Sequence, residues 1–334
     1  MNTNNNYKEL YEKAGKRIGW DFSHLKTTKT GQGWDFFQKV LKKAKSNDLI
    51  LDIGTGGGER ILKIAKQFKS VYAIDHTQSM IDTAKKNLRK TKLDNVKFLL
   101  MDSKKLDFPD NYFDIVTNRH CDFNPTEVFR VLKTGGYFFT QQVSEGDQMN
   151  IKRAFGRGQI YGTLDGTLKN KYLKQLKASG FKKISSYDYN SKVIYKTDKD
   201  YIFLLRYTPT IPEFGKKKED FEILRKFIKG NKTDKGIETN SKRFMIVAVK
   251  WKDNMVNSLT FIGQKVNVVI DRPLGSKHPQ HGFVYEVNYG YIPNTKSADG
   301  EGLDAYVLGI DKPLTEAKGI ALQLFIEQMM MTIN

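Results

Sequence analysis

The stretch LDIGTGGGE, residues 51–59, decides how this chain folds. It completes the segment DLILDIG, whose apolar run begins at residue 49, and such a run predicts a short buried strand. Gly54, Gly56 and Gly58 then predict a sharp turn, because glycine reaches positive φ angles and lets the backbone come close to a ligand. The residues that follow, ERILKIAKQF, carry apolar side chains at helical spacing. We therefore expect a strand, a glycine turn and a helix whose first amide groups face the turn.

The same alternation continues along the chain. Further strands are predicted at SVYAID, VKFLLMD, FDIVTNR, YFFTQQV, FKKISSYDY and KRFMIVAVK, which lie within residues 70–250. Helices are predicted from about residue 77, at TEVFRVLKTGG (126–136) and at LKNKYLKQLKASG (168–180). Strands that alternate with helices predict an α/β fold with a doubly wound, Rossmann-like parallel sheet.

Acidic residues lie at the ends of the first three predicted strands, and they narrow the class of ligand that the glycine turn can bind. A glycine-rich turn after a strand also serves NAD or FAD, so the turn alone is a weak signal. Asp75, however, ends the second strand, where a carboxylate can accept both hydroxyl groups of a ribose. Asp102 and Ser103 close the third strand. The glycine spacing is G-x-G-x-G, whereas dinucleotide oxidoreductases usually show G-x-G-x-x-G.

Four segments, LDIGTGGGE, AIDHTQSM, MDSKKLDFPDNYFDIV and VLKTGGYFFTQQV, resemble in order the motifs of class I S-adenosylmethionine-dependent methyltransferases. The resemblance covers about residues 45–250 and is strongest to the type 11 or UbiE-like group. It implies S-adenosylmethionine as cofactor. It implies that Gly54, Thr55, Gly56 and Gly58, which follow Asp52 in the motif, wrap the methionine portion. It further implies Asp75 at the ribose, His76 beside the ribose or the adenine, and Asp102 and Ser103 at the adenine. Asp52 and Asn118 complete the predicted cofactor-binding residues, and Asn118 contacts either the methionine portion or the substrate.

The sequence specifies the residues that bind the methyl acceptor less closely than those that bind the cofactor. Arg119 and His120 follow the fourth strand, where open α/β sheets bind ligands, and His120 is the candidate base. The alternative is that both are ordinary polar loop residues. Residues 1–44 are predicted to form a helical cap or lid, with Tyr11, Trp20 and Phe22 over the cofactor. The aromatic stretch YIFLLRYTPTIPEF (201–214) either shapes an apolar pocket or covers the sheet edge. A small, partly hydrophobic acceptor suits this pattern.

Composition sets further bounds. The net charge is +19 over 334 residues, which would suit a nucleic-acid partner. The lysines are spread along the chain, and no N-P-P-Y signature is present, so an RNA methyltransferase stays the less favoured alternative. The single cysteine, Cys121, excludes a disulfide framework. No signal peptide and no apolar run of about 18 residues is visible, so we expect a cytoplasmic protein without a membrane partner. Its oligomeric state is not readable from the sequence.

Residues 255–320 change to short strands and turns, which predict a small, incomplete antiparallel β unit of the OB-like barrel type. The motifs VVIDRP, VNYGYIPNT and DGEGLDAYVLG resemble soluble inorganic pyrophosphatases. The resemblance implies Mg²⁺ at Asp299, Glu301 and Asp304. The second acidic cluster of that family is missing, so we expect no pyrophosphatase activity. A bifunctional enzyme and an interaction module are the alternatives.

The last residues, 321–334, include Met-Met-Met-Thr. Those four residues require the codons ATG ATG ATG ACN, which two bases later read as three aspartates. An acidic cluster is what the pyrophosphatase pattern lacks at this point. We therefore predict that residues 321–334 are an out-of-frame tail, after a methyltransferase domain at 45–252 and a truncated pyrophosphatase-like domain at 255–320.

Overall fold

A computed structural model describes residues 12, 16–17, 21–31, 33–251, 261–279, 281–295 and 301–322. The chain divides into two compact units, Met1–Trp251 and Lys252–Asn334. Tyr11, Trp20, Asp299 and nearly all of the predicted tail lie outside the described residues. Among the described residues, no helix has both the length and the apolar character that crossing a bilayer requires.

The first unit is built on one large sheet, ordered β1-β7-β9-β6-β5-β2-β3-β4, with β8 paired to β9. Strands β2 to β6 run parallel to one another, whereas β9 runs antiparallel to both β6 and β7. This mixed sheet confirms the predicted Rossmann-like α/β architecture. The strands are β1 (Thr27–Thr30), β2 (Leu49–Ile53), β3 (Ser70–Asp75), β4 (Val96–Leu100), β5 (Phe113–Arg119), β6 (Leu132–Val143), β7 (Lys182–Tyr195), β8 (Lys232–Thr233) and β9 (Gly236–Val249).

Helices cover both faces of this sheet because each buries an apolar stripe against it. One core cluster joins α1 and α2 to the sheet, and a second joins α3 and α5 to the opposite face. A third cluster packs α4, α6 and α7 against β7 and β9. The helices are α1 (Phe36–Leu41), α2 (Gln78–Leu88), α3 (Pro125–Val131), α4 (Met149–Phe155), α5 (Thr167–Ala178), α6 (Asp198–Tyr207) and α7 (Glu219–Asn231).

The helix predicted after the glycine turn was wrong in type. Residues 61–67 form two 3₁₀ turns, Ile61–Lys63 and Ala65–Gln67, separated at Ile64. Ile64 has a ψ of −4°, far from the helical value of about −42°. Ile61, Ala65 and Phe68 are nevertheless buried together against the sheet. The apolar spacing thus reported the buried face correctly, but the short connection closes with i to i+3 hydrogen bonds.

Two other helix predictions need correction. The helix predicted over residues 126–136 ends at Val131, because the next residue turns to extended backbone and begins β6. Helix α7 was missed, although Leu224, Phe227 and Ile228 bury one face of it. The aromatic stretch from residue 201 is largely helix α6, and Tyr201 and Leu205 belong to the third core cluster.

The second unit contains a four-stranded antiparallel sheet in the order β12-β11-β10-β13. Its strands are β10 (Lys265–Arg272), β11 (Asn288–Ile292), β12 (Leu303–Val307) and β13 (Glu316–Ile320). Val268, Ile270 and Ile292 form a small core under it. The predicted antiparallel β unit is present, while closure of that sheet into an OB-like barrel stays a prediction.

Candidate functional site

The glycine turn lies at the point where the strand order of the sheet reverses. β2 is flanked by β3 on one side and by β5 on the other, and open α/β sheets bind ligands at such a switch point. Gly54, Gly56 and Gly58 have φ angles of 75°, 59° and 76°. A Cβ on Gly54 would collide with the Sγ atom of Cys121. The turn therefore requires glycine both for its backbone angles and for its close approach to the neighbouring loop.

The Asp75 carboxylate lies directly against this turn. One of its oxygens accepts from the backbone N–H of Gly56 and the other from that of Thr77, each at 3.0 Å. Burial raises the pKa of Asp75, and the two backbone hydrogen bonds oppose that rise. Each carboxylate oxygen keeps a further lone pair. The group is thus fixed in place and still able to accept the two hydroxyl groups of a ribose.

Asp52 lies below the turn, at the end of β2. It is 5% exposed, and its Oδ1 atom accepts from the Thr117 hydroxyl at 2.7 Å. Burial raises the pKa of Asp52 to about 6, against the effect of the Thr117 hydrogen bond. A carboxylate with little water around it is suited to a positively charged group of a ligand, which would restore its solvation.

The raised pKa of Asp52 gives a testable pH dependence. Between about pH 4 and pH 6 the folded protein binds a proton at Asp52 that the unfolded chain has released, so this group lowers stability as the pH rises. Replacing Asp52 by asparagine removes this contribution. We expect the unfolding free energy of Asp52→Asn, relative to that of the parent, to increase by up to about 3 kcal/mol from pH 4 to pH 7. Urea unfolding across this range measures it, and a pH-independent difference would contradict it.

The predicted adenine residues lie beside Asp75. The backbone N–H of Met101 donates to the Asp75 carbonyl at 3.0 Å, which brings the end of β4 next to the end of β3. Asp102 is exposed there, and its Oδ1 accepts from the N–H of Lys104 at 2.9 Å. The His76 side chain is half exposed, with Nδ1 at 3.7 Å from Asp75. The structure thus brings the acidic ends of β2, β3 and β4 to one edge of the sheet.

Asn118 has a different environment from the one that the sequence suggested. It is fully buried, and its Oδ1 accepts from Thr140 at 2.9 Å and from Gln142 at 2.7 Å. Its Nδ2 donates to the Sγ atom of Cys121 at 2.8 Å. These contacts make Asn118 a buried support that positions Cys121 against the glycine turn, whereas direct contact with a cofactor stays a prediction.

The protonation of His120 follows from its neighbours. The Trp34 indole is only a donor, so the Gln141 amide oxygen at 3.0 Å must face it. The Gln141 NH₂ group then donates to Nε2 of His120 at 3.2 Å. The ring proton of His120 is therefore on Nδ1. Burial and then the charge of Arg119 lower the pKa of His120 well below its ordinary value. His120 is a neutral ring whose basic lone pair is already used.

Arg119 is a half-buried cation at the same edge. Its Nε atom is buried without a hydrogen-bond partner among the described residues. Burial, followed by the charges of Arg60 and Arg243, lowers its pKa to about 10. Arg60, Arg243 and Lys29 were not anticipated from the sequence. The polar pair Gln141–Gln142 at the end of an apolar strand was the available signal for a site here.

The predicted Mg²⁺ residues belong to the second unit. Glu301 and Asp304 are exposed, and Asp299 lies outside the described residues. Within the described part of the chain, no three His, Cys, Asp or Glu side chains are grouped to hold a metal ion. Coordination of Mg²⁺ by this unit stays a prediction.

Comparisons with known proteins agree with this geometry. Residues 44–191 match the model of a family described as a methyltransferase domain. The matched residues contain the glycine turn, Asp75 and Asp102, so the site described above lies within the part of the first unit that is similar to a methyltransferase domain. The ubiquinone/menaquinone biosynthesis C-methyltransferase UbiE of Stutzerimonas stutzeri is 32% identical over 133 residues, which are 36% of this chain and 52% of that protein.

Two further similarities concern Bacillus subtilis. Its uncharacterized methyltransferase YcgJ is 30% identical over 103 residues, covering 29% of this chain and 41% of that protein. A crystal structure of a YcgJ protein aligns with 64% of this chain and 97% of its own at 18% identity and a TM-score of 0.48. The chain thus spans about half the length or less of the two curated relatives.

Proposed function

We propose that this protein transfers a methyl group from S-adenosylmethionine to a small-molecule acceptor. The observation that carries the proposal is the fixed carboxylate of Asp75 beside the turn of Gly54, Gly56 and Gly58, at the switch point of the sheet. A glycine turn alone would suit several nucleotides. The spacing of its glycines and the methyltransferase match over residues 44–191 favour the sulfonium cofactor.

The residues present fit this cofactor by charge as well as by shape. S-Adenosylmethionine has a ribose with two hydroxyl groups, which the free lone pairs of Asp75 can accept. Its methionine portion has an ammonium group and a sulfonium, both positive. Asp52, desolvated below the turn, is the matching carboxylate. The glycines of the turn have no side chains, so its backbone can lie directly along a bound methionine chain.

Methyl transfer from this cofactor requires little chemical activation by the protein. Bound S-adenosylmethionine supplies a methyl group that is already activated on a positively charged sulfur. The protein then needs to align the acceptor atom with that methyl group and to exclude water. His120 is poorly suited to remove a proton, because Gln141 already donates to its Nε2 atom. We therefore favour an acceptor that is nucleophilic without a histidine base, and we assign His120 the role of a neutral hydrogen-bond donor through Nδ1.

The UbiE relatives support a small-molecule acceptor, since their name describes a C-methyltransferase of ubiquinone/menaquinone biosynthesis. A quinone precursor that receives a methyl group on a ring carbon is one acceptor within this class.

For the second unit we propose that it does not hydrolyse pyrophosphate. Its described strands form an open path, and among its described residues no three acidic side chains are grouped closely enough to hold Mg²⁺ ions. Release of phosphate from pyrophosphate by the full chain, dependent on Mg²⁺ and lost in Asp304→Ala, would contradict this proposal and support a bifunctional enzyme.

Direct binding tests the main proposal. Isothermal titration of the full chain with S-adenosylmethionine is expected to show one site, and Gly56→Arg is expected to abolish it because the larger side chain fills the turn. ATP and NAD serve as control ligands that share the ribose but lack the sulfonium. Tighter binding of either control, or no binding of S-adenosylmethionine, would refute the proposal. Steeply salt-dependent RNA binding would instead support an RNA methyltransferase.

A further inference from the structure

We propose that the methyl acceptor carries an anionic group, a carboxylate or a phosphate, and that Arg119 and Lys29 bind this group beside the cofactor site. This inference rests on the proposed methyl transfer and specifies the chemical class of its acceptor.

The pairing of strands brings distant cations to one face of the sheet. Arg119 on β5 lies opposite Gln141 on β6, and two residues further along the sheet Arg243 on β9 lies opposite Tyr189 on β7. The Trp34 indole N–H donates to the amide oxygen of Gln141, and the indole ring contacts the Tyr189 ring at 4.6 Å between centroids. Since side chains alternate across a strand, all of these groups share the face that Trp34 covers.

Lys29 joins this group from β1, which pairs with β7. Its side chain is exposed, yet loss of solvation lowers its pKa, followed by the charges of Arg243, Arg119 and Arg60. Lys29 lies opposite Val193 of β7, so its side chain is on the same face of the sheet as Tyr189. The four cations Lys29, Arg60, Arg119 and Arg243 are therefore close enough to repel one another.

Among the described residues, only one of these four cations is held in an ion pair. Arg243 forms an ion pair with Asp147. Lys29, Arg60 and Arg119, in contrast, form no ion pair with any residue that the structure describes. Asp52 acts on Arg119 and Asp147 acts on Lys29 at longer range, but these two acids do not balance four cations. Such a group of like charges destabilises a fold unless a ligand supplies further negative charge.

The cofactor alone cannot neutralise the positive charge of these four side chains. S-Adenosylmethionine has one carboxylate, but its ammonium and sulfonium make the whole molecule a net cation. One of the arginines can bind that carboxylate, and Asp52 lies on the side of the methionine portion. The remaining cations still lack a partner. An anionic acceptor supplies the missing negative charge. The aromatic rings of Tyr189 and Trp34 can contact the uncharged part of that acceptor.

The neutral state of His120 also favours an anionic acceptor. Its Nε2 lone pair accepts from Gln141, and the surrounding cations disfavour a proton there. An acceptor that binds as an anion, or whose nucleophilic atom is made more acidic by the neighbouring cations, needs no histidine base.

The test uses the full chain saturated with S-adenosylhomocysteine, the demethylated cofactor. Isothermal titrations compare benzoate and phenyl phosphate with uncharged benzamide as ring-matched probes. We expect at least one anion to bind about 10-fold more tightly than benzamide, since a hydrogen bond to a charged group contributes about 1.5–3 kcal/mol. The better anion identifies carboxylate or phosphate as the preferred group.

Variants then locate the site. Lys29→Met and Arg119→Met are each expected to weaken binding of the better anion about 10-fold, and Arg119→Lys is expected to weaken it less. Lys177→Met, an exposed lysine of α5 on the opposite face, is the matched control and is expected to change nothing. Equal binding of all three probes, or equal losses in Lys29→Met and Lys177→Met, would overturn the inference. Absence of S-adenosylhomocysteine binding would instead refute the proposed function itself.

Discussion

Replacing Asp75 by alanine is expected to lower the affinity for S-adenosylmethionine about 100-fold or more. The carboxylate is held in place by the N–H groups of Gly56 and Thr77, so it meets the ribose without rearrangement. Two charge-assisted hydrogen bonds of about 1.5–3 kcal/mol each would be lost. Isothermal titration measures the change in the dissociation constant, and an affinity within about threefold of the parent would contradict the assignment.

Two further variants separate binding from folding in this experiment. Asp75→Asn keeps one acceptor oxygen and loses the charge, so its affinity should lie between those of the parent and the alanine variant. Asp94→Ala removes an exposed carboxylate just before β4 and should leave binding unchanged. Because Asp75 also bonds to the turn in the free protein, the melting temperature without cofactor is measured for each variant. A loss of affinity explained entirely by unfolding would count against a ribose contact.

Replacing Gly54 by alanine is expected to destabilise the protein by about 2–5 kcal/mol and to abolish cofactor binding. A side chain at a φ of 75° costs about 1–2 kcal/mol. The added methyl group also meets the Sγ and Cβ atoms of Cys121, and such overpacking costs about 1–3 kcal/mol. Denaturation in urea measures the loss of stability, and a change below about 1 kcal/mol would show that the turn is looser than the structure indicates.

The chain offers a matched control for this substitution. Gly135 has a φ of 81°, and a Cβ there would have no atom within 4 Å. Gly135→Ala therefore isolates the backbone cost, and we expect it to destabilise by only about 1–2 kcal/mol. Adding Cys121→Ala to Gly54→Ala should recover part of the lost stability, because it removes the sulfur from the collision. Additive effects of the two substitutions would disprove the contact.

Much of the fold follows from local patterns in the sequence. The strands β2, β3 and β5 were predicted closely because short apolar runs with polar ends have few other solutions. The helix over residues 59–68 was wrong, since apolar spacing reports which side is buried but not whether the turns close as α or 3₁₀. Helix α7 was missed, although its buried face has helical spacing.

The residues of the site likewise include some that the sequence placed correctly and some whose environment only the structure showed. A glycine turn and an acid at the end of the next strand lie near each other in any parallel sheet, so the placement of Asp75 needed only the order of the elements. The environments of Asn118 and His120 could not be predicted from the residues near them in the sequence. Both follow from Gln141, Gln142 and Trp34, whose side chains arrive from other parts of the chain.

The sequence by itself determined the α/β class, the glycine turn and the acidic strand ends, because each depends on residues close together in the chain. Only the tertiary structure decided that Lys29, Arg119 and Arg243 share one face of the sheet and that His120 is neutral. Those facts depend on the register of β1, β5, β7 and β9. A shift of one residue in any of these pairings would turn the side chains to the opposite face, and no local pattern specifies which face is chosen.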